Sequence, residues 1–565
     1  MSVQTQDEVG AGLLMAEGCE WPTDVVESYR RNGYWTGERL DRIADAAAAR
    51  TPEKLAVIDD HDQITYAELL QRVDRLAASF SRRGLADRDR VILQLPNRIE
   101  LITAATALMR IGVVPVYCLG SSRRRELAAI SHRALAVALI VDATSEDGDG
   151  AQLAADVVAE VDSLKDVITS EEIRSASTIP DPVPSGSSFQ SRPTQQIAGP
   201  DDVAFLQLSG GTTGTPKLIP RTHDDYLYSV RRSNEVCGLV QDDVFLAVLP
   251  AVHNFPMSSP GFLGALMAGG TVVLTESQHP AQVFDLIARC GASIVPLVPP
   301  MAHVWANFAD MDPAAASKFS SLRLLQVGGA KLVPELARRL VNLVPGAVQQ
   351  VFGMAEGLVC YTDPDDDIDI IINTQGRPMS PADEIRIVDH HDQPVPEGDS
   401  GHLLARGPYT IRGYFNAPDA NHRSFTDDGF YRTGDIARIR ADGTLVVEGR
   451  SKDQIHRGGE KISAEEVEDI LLAHPSVDDV VVVAEPDEFL GERSVAVIVA
   501  HNEPQHDESA LRRASIAEYM RNRGVDAMKV PDRVDLTDSF PVTGVGKISR
   551  AQLRTLIREQ RSTAK

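Results

Sequence analysis

The stretch from Val91 to Leu119 restricts the fold of this chain more than any other. "VILQL" is a short apolar run, "RIELITAATALMRI" places Leu101, Ala104, Ala105 and Leu108 at i, i+3, i+4 and i+7, Gly112 can cap the turn, and "VVPVYC" is apolar again. Strand, helix and strand in that order make a βαβ unit, the building block of a parallel sheet. Further apolar runs, "DVFLAVLP", "GGTVVLTE", "ASIVPLVPP" and "LRLLQVGG", alternate with helical stretches, so the first two-thirds of the chain reads as an α/β body of mostly parallel sheets. Ligands of such sheets gather at the carboxyl ends of the strands.

The same stretch is the most membrane-like window, yet Arg110 and Gly112 interrupt it, which suits a helix and a strand better than a span. With 565 residues the chain exceeds one hydrophobic core. Its formal net charge of -25 argues against nucleic acid and an anionic membrane as partners, because the long-range field repels both, and leaves room for a local basic pocket. Cys19, Cys118, Cys237, Cys290 and Cys360 form no CxxC pair and no close spacing, which predicts reduced, buried thiols in a cytoplasmic chain. "MSVQTQDEVGAG" lacks the basic start and apolar core of a signal peptide.

Residues 177–200, rich in Pro, Ser and Gln, predict an exposed loop. A boundary falls near Gly449-Arg450-Ser451-Lys452-Asp453. Beyond it, a possible capping box of Ser463 and Glu466, the strands "VDDVVVVAEPD" and "RSVAVIVAH", and a helix ending by Gly524 predict a small α+β domain of about 110 residues. Its last segment, "PVTGVGKISR", is a turn-like loop presenting Lys547.

"LSGGTTGTPK", Leu208 to Lys217, has the composition of a phosphate cradle: glycines that allow close approach, the hydroxyls of Ser209, Thr212, Thr213 and Thr215, and one cation. A Walker A loop needs lysine directly after its last glycine, but Thr215 and Pro216 intervene here, which rules out a plain P-loop phosphotransferase. A dinucleotide fingerprint needs GxGxxG opening a helix, and that also fails. The loop by itself is compatible with a phosphate clamp or with a flexible surface turn.

The motifs that follow are "GGAKL" (Gly328 to Leu332), "QQVFGMAEG" (Gln349 to Gly357), "YRTGDIARI" (Tyr431 to Ile439), "GRSKDQIHRGGEKIS" (Gly449 to Ser463) and "PVTGVGKISR" (Pro541 to Arg550). In this order and spacing, over nearly the whole chain, they resemble the adenylate-forming superfamily. "WPTDVVESYRRNGYW" and "PAVHNFPMSSPGFLG" resemble its stand-alone aryl-acid-activating branch of siderophore synthesis. The resemblance implies an α/β fold with a large N-terminal body, 1–449, of mostly parallel sheets, a hinge at 450–453 pivoting on Lys452, and a small mobile α+β C-terminal domain, 454–565. It implies two steps: a hydroxybenzoic acid attacks the α-phosphate of ATP to give aryl-AMP and pyrophosphate, and the phosphopantetheine thiol of an aryl carrier protein then takes the aryl group.

By the same resemblance, Ser209, Gly211, Thr212, Thr213 and Lys217 hold the triphosphate, and Glu356 holds Mg²⁺. Gly328, Gly329 and Ala330 admit the adenine, with Val351, Phe352, Gly353 and Met354 around it, and Ala355 leaves an α-phosphate contact to the backbone where many relatives have threonine. Asp435 and Arg450 take the ribose. His253, Asn254, Phe255, Ser259 and Gly329 line the acid pocket, where Asn254 contacts the carboxylate or the ortho hydroxyl. A Ser259 hydroxyl pairing with a 3-hydroxyl would favour 2,3-dihydroxybenzoate over salicylate, whereas a water or a backbone carbonyl satisfying the serine would not. Lys547 bridges carboxylate and α-phosphate in the first step, and in the second Gly458 and Gly459 line a thiol tunnel with Lys461 nearby. An acyl-CoA synthetase using free coenzyme A is the nearest alternative, and an inactive nucleotide-binding protein a remote one.

Overall fold

The structure is a computed structural model describing residues 20–143, 150–178, 198–209, 216–330, 332–457, 460–487, 490–501, 511–523, 525, 527–542 and 548–563. The βαβ unit forms as its periodicity requires: strand Arg90–Gln94, helix Ile99–Arg110 and strand Val114–Tyr117, with the two strands parallel and Arg90 opposite Val114. The helix is buried almost all round rather than along one stripe, because it is covered by helix Tyr66–Arg82 as well as by its own sheet. Its one cation, Arg110, ends in a cluster of acids, 2.6 Å from Asp74 and 3.4 Å from Asp45. Among the described residues no helix is long and apolar enough to cross a membrane.

This unit belongs to a six-stranded sheet of five parallel strands closed by an antiparallel one, Leu218–Thr222. A nine-stranded sheet follows, its six inner strands parallel and its edges antiparallel. Residues 384–450 form a third, antiparallel sheet, and the smaller C-terminal domain has its own sheet around Val477–Asp487 and Gly491–Ala500. The mixed α/β architecture with mostly parallel sheets in the body agrees with the sequence reading.

Three local expectations are refined. Ser463 Oγ accepts the Glu466 backbone N–H at 3.3 Å, but the Glu466 carboxylate turns to Lys529 instead of completing the box. Ser177 and Thr178 close a helix, Ser170–Thr178, and the rest of the expected loop to residue 197 lies outside the described residues. Cys118, Cys237 and Cys360 are buried free thiols and Cys290 is half-buried, while Cys19 lies outside the described residues. Burial pushes the Cys118 thiol up to about 12, so it stays protonated at neutral pH.

Candidate active site

Two neighbouring strand ends of the nine-stranded sheet build the site. Strand Leu324–Gly328 runs out into Gly329 and Ala330, and its parallel partner Ala347–Gly353 runs into the turn carrying Met354, Ala355 and Glu356. Gly328 stands opposite Val351. A Cβ on Gly328 would lie 2.6 Å from the Val351 carbonyl oxygen and 3.1 Å from Cε1 of Phe255, so the aromatic ring closes on this strand end only because the residue is glycine. Gly329, at φ +82°, and Ala330 are exposed just beyond, a bare stretch of backbone beside the ring.

Phe255 lies in the short helix Asn254–Ser258, preceded by His253. The Tyr226 hydroxyl donates to Asn254 Oδ1 at 2.9 Å. The amide oxygen is thereby engaged, and the amide NH₂ remains as a donor for an anionic oxygen. Ser259 is 2% exposed and lies beside the buried Tyr361 phenol, which meets Ser233 Oγ at 2.9 Å.

Val351 and Phe352 do not share a pocket. Val351 packs in the core cluster that Phe255 borders, and Phe352 packs on the other side with Leu358, Cys360 and Leu403. Successive strand residues face opposite ways, so the two side chains lie on opposite faces of the sheet.

At the phosphate end, the Lys217 N–H donates to Ser209 Oγ at 3.1 Å and the Ser209 N–H to the Lys217 carbonyl at 2.9 Å, clasping the two ends of the glycine-rich stretch. Gly211, Thr212 and Thr213 lie outside the described residues. Lys217 Nζ sits 3.9 Å above the centroid of the Tyr414 ring. The Tyr414 hydroxyl donates to Glu356 Oε1 at 2.9 Å and lies 3.1 Å from the Tyr431 hydroxyl. Burial, and then the Glu356 carboxylate, push the Tyr414 phenol far above its ordinary pKa, so it stays a donor at any working pH. One tyrosine therefore joins the clamp lysine to the buried glutamate. Tyr414→Phe keeps the ring under Lys217 and removes the donor to Glu356. It is expected to lower kcat/KM for ATP about 10-fold, the scale of one hydrogen bond to a charged group, with the KM for the acid unchanged. Wild-type ATP kinetics in this variant would reduce the hydroxyl to a packing contact.

Asp435 and Arg450 face each other across paired strands, Tyr431–Ile439 and Leu445–Arg450, with Arg450 Nε 2.9 Å from Asp435 Oδ1. Arg450 Nη1 donates to the Thr433 carbonyl at 2.9 Å. Burial alone would weaken the Arg450 charge, but Asp435 together with Tyr431, Glu356 and Glu465 outweighs it and holds the guanidinium above its ordinary pKa.

Behind the Glu356 turn lies an ion pair that the sequence reading omits. Arg221 is 1% exposed; its Nε donates to Asp225 Oδ1 at 2.8 Å, Nη1 to the Ala355 carbonyl at 2.9 Å and Nη2 to the Tyr409 carbonyl at 3.1 Å. Asp225 also completes a capping box with Thr222 at the start of helix His223–Val236. Thr-x-x-Asp is a local signal of that cap, and Arg221 directly before it is the one hint of a partner. Tyr226, Tyr361, Tyr414 and Tyr431 carry no such signal.

The remaining expected residues fall in the C-terminal part. Lys452 lies in a single turn, Ser451–Asp453, and Lys461 in strand Glu460–Ser463. Asp453 Oδ1 accepts from Arg554 at 2.8 Å, tying this turn to the last helix. Gly458, Gly459 and Lys547 lie outside the described residues.

Known proteins match this chain over nearly its whole length. The profile of the AMP-binding enzyme family matches residues 44–415, and that of the AMP-binding enzyme C-terminal domain residues 466–547. The chain belongs to the AMP-binding enzyme family. A 2,3-dihydroxybenzoate-AMP ligase of Bacillus subtilis is 48% identical over 96% of this chain and 97% of its own length. A salicyl-AMP ligase / salicyl-S-ArCP synthetase of Mycobacterium tuberculosis is 42% identical over 95% and 94%. The apo structure of MbtA from Mycobacterium smegmatis superposes with a TM-score of 0.70 at 43% identity, covering 95% of this chain and 98% of that one. The aromatic N-terminal segment that suggested the aryl-acid branch packs behind the site: Trp21 and Trp35 stack edge-on, and Tyr34 meets Tyr228 of the helix that also carries Tyr226.

Proposed function

We propose that this AMP-binding enzyme activates a hydroxybenzoic acid, 2,3-dihydroxybenzoate or salicylate, with ATP, and passes the aryl group to the phosphopantetheine thiol of an aryl carrier protein in cytoplasmic siderophore synthesis. The observation that carries this reading is the Phe255 ring closed against Gly328, an aromatic wall beside the exposed backbone of Gly329 and Ala330 that supports an apolar acid slot next to a nucleotide site. The names of the relatives support the same acid class.

In the first step a carboxylate oxygen attacks the α-phosphorus and the bond to the β-phosphate breaks, so two anions must be held in line. The Asn254 amide NH₂ orients the acid, Asp435 and Arg450 fix the ribose, and Lys217 with the clamp hydroxyls holds the departing phosphates. Lys547 spans the carboxylate and the α-phosphate, where charge shifts. Glu356 suits Mg²⁺: it is an oxygen ligand, 8% exposed, oriented by Tyr414. Mg²⁺ is commonly held through one or two carboxylates and substrate phosphates, which is the part Glu356 would take. When bound it would neutralise phosphate charge.

In the second step the C-terminal domain turns about Lys452, withdraws Lys547 and brings Gly458, Gly459 and Lys461 to the thiol path. Lys452→Pro is expected to slow thiol transfer from pre-made aryl-AMP by about 10-fold or more while pyrophosphate exchange stays within about two-fold, since a proline fixes φ where the turn must re-form. Equal slowing of both half-reactions would count against the pivot.

A second reading, an aryl-CoA synthetase using free coenzyme A, is favoured by a 42% identical Streptomyces relative named salicylyl-CoA synthase / salicylate adenylyltransferase. Pyrophosphate exchange over a panel of benzoic acids, followed by transfer to a carrier protein or to coenzyme A, tests both. The proposal expects exchange with ortho-hydroxybenzoates and transfer to the carrier; an aliphatic or amino acid as best substrate would overturn it, and saturable coenzyme A turnover without a carrier would select the second reading.

A further inference from the structure

Beside the phosphate clamp lies a cleft of about 480 Å³ whose far wall carries none of the expected ATP or acid contacts. It is lined by Ser209 and Lys217 on one side and by Arg133, Asn416, Asp419 and Arg423 on the other. Its cations come from separate elements: Arg133 from the last turn of helix Arg124–Ala134, Lys217 from the residue before strand Leu218–Thr222, and Arg423 from helix Pro418–Ser424. Against them stands one carboxylate, Asp419, in a chain whose formal net charge is -25. A locally positive cleft in so acidic a protein attracts a compact polyanion and little else.

The walls are tied to the clamp. Arg133 Nη1 donates to the Pro216 carbonyl at 2.7 Å, and Asn416 Nδ2 donates to the Arg133 carbonyl at 3.3 Å. The Phe415 N–H donates to the Leu218 carbonyl at 2.9 Å, so the segment turning into the Arg423 helix is stitched to the residue after Lys217. Asn416 holds a left-handed φ of +48° to make this turn, a conformation that side-chain-bearing residues rarely adopt and that recurs at functional sites.

The geometry points to a docking site for inorganic pyrophosphate on its way out: Lys217 hands the leaving group from the clamp to Arg133 and Arg423, which hold it in the cleft before release. This rests on the proposed adenylation reaction, and it assigns Arg423 to the departing product rather than to bound ATP. A rim guanidinium that meets only the product changes the affinity for pyrophosphate and leaves the nucleotide's alone.

The test is steady-state kinetics on the full chain with Arg423→Gln and Arg423→Lys. Arg423→Gln is expected to raise the pyrophosphate KM in exchange, and its inhibition constant as a product, about 5- to 10-fold, the scale of one charge-assisted contact, with the KM for ATP and for the aryl acid within about two-fold. Arg423→Lys is expected to recover most of the loss, because a phosphate needs charge there more than a planar fork. An equal rise in the ATP KM would place Arg423 on bound nucleotide and overturn the assignment, as would unchanged pyrophosphate constants. Calorimetric titration of pyrophosphate into the wild-type and Arg423→Gln chains reads the cleft without any acid. Weakened binding there alongside absent exchange would fault the proposed reaction and leave the cleft standing.

Discussion

Lys547→Ala is expected to slow aryl-acid-dependent pyrophosphate exchange by about 10²–10³-fold, the loss measured when one transition-state donor is removed elsewhere. Thiol transfer from pre-made aryl-AMP should change by less than about three-fold, because in the proposed second step this lysine has left the site. The asymmetry follows from where the lysine is carried. The residues on either side of 543–547 meet in a single antiparallel bridge, Val542 with Ile548, and the Ser549 N–H donates to the Pro541 carbonyl at 2.7 Å. Directly after them, Arg550 Nη2 lies 2.6 Å from Glu468 and Arg550 Nη1 donates to the Val482 carbonyl at 2.8 Å. The base of the Lys547 segment is thus fixed to the C-terminal domain. Equal loss in both half-reactions would remove Lys547 from the adenylation step.

Arg221→Ala is expected to destabilise the body by about 3–5 kcal/mol, since it leaves the Asp225 carboxylate buried without its counter-ion. Burial already pushes the Asp225 carboxyl upward, and Arg221 with the Thr222 donors opposes that push. The measurement is the urea midpoint followed by circular dichroism, with the slope compared to wild type because a chain of several sheets need not unfold in one step. Arg221→Met combined with Asp225→Leu separates stability from function. Replacing both buried charges by apolar side chains should restore most of the midpoint. Exchange should stay about 10-fold or more below wild type, because the Ala355 carbonyl beside Glu356 has lost its donor. Wild-type exchange in the double variant would make the pair purely structural.

The βαβ unit, the alternation of apolar runs with helices, and the C-terminal strands were legible because each depends on spacing within about ten residues, which strand and helix periods impose locally. The ordered motifs carried the family for a related reason, as each is a short backbone device. Gly328 illustrates the limit: its motif marks a close approach, but that Phe255 is what approaches appears only when the short helix Asn254–Ser258 folds against the strand end. Val351 and Phe352 are neighbours in the motif and part company in space, because a strand alternates its faces.

Sequence alone determined the parallel α/β body, the smaller C-terminal domain, the acidic exterior and the set of motifs that mark an adenylate-forming chain, since all of these are written in composition, period and local order. Tertiary structure alone decided which side chains serve them: Tyr414 between Lys217 and Glu356, Tyr361 on Ser233, Tyr226 on Asn254, and Arg221 reaching an Ala355 carbonyl 134 positions away. Those contacts join separate elements of the fold, and no periodicity along the chain encodes a meeting that depends on how whole layers pack.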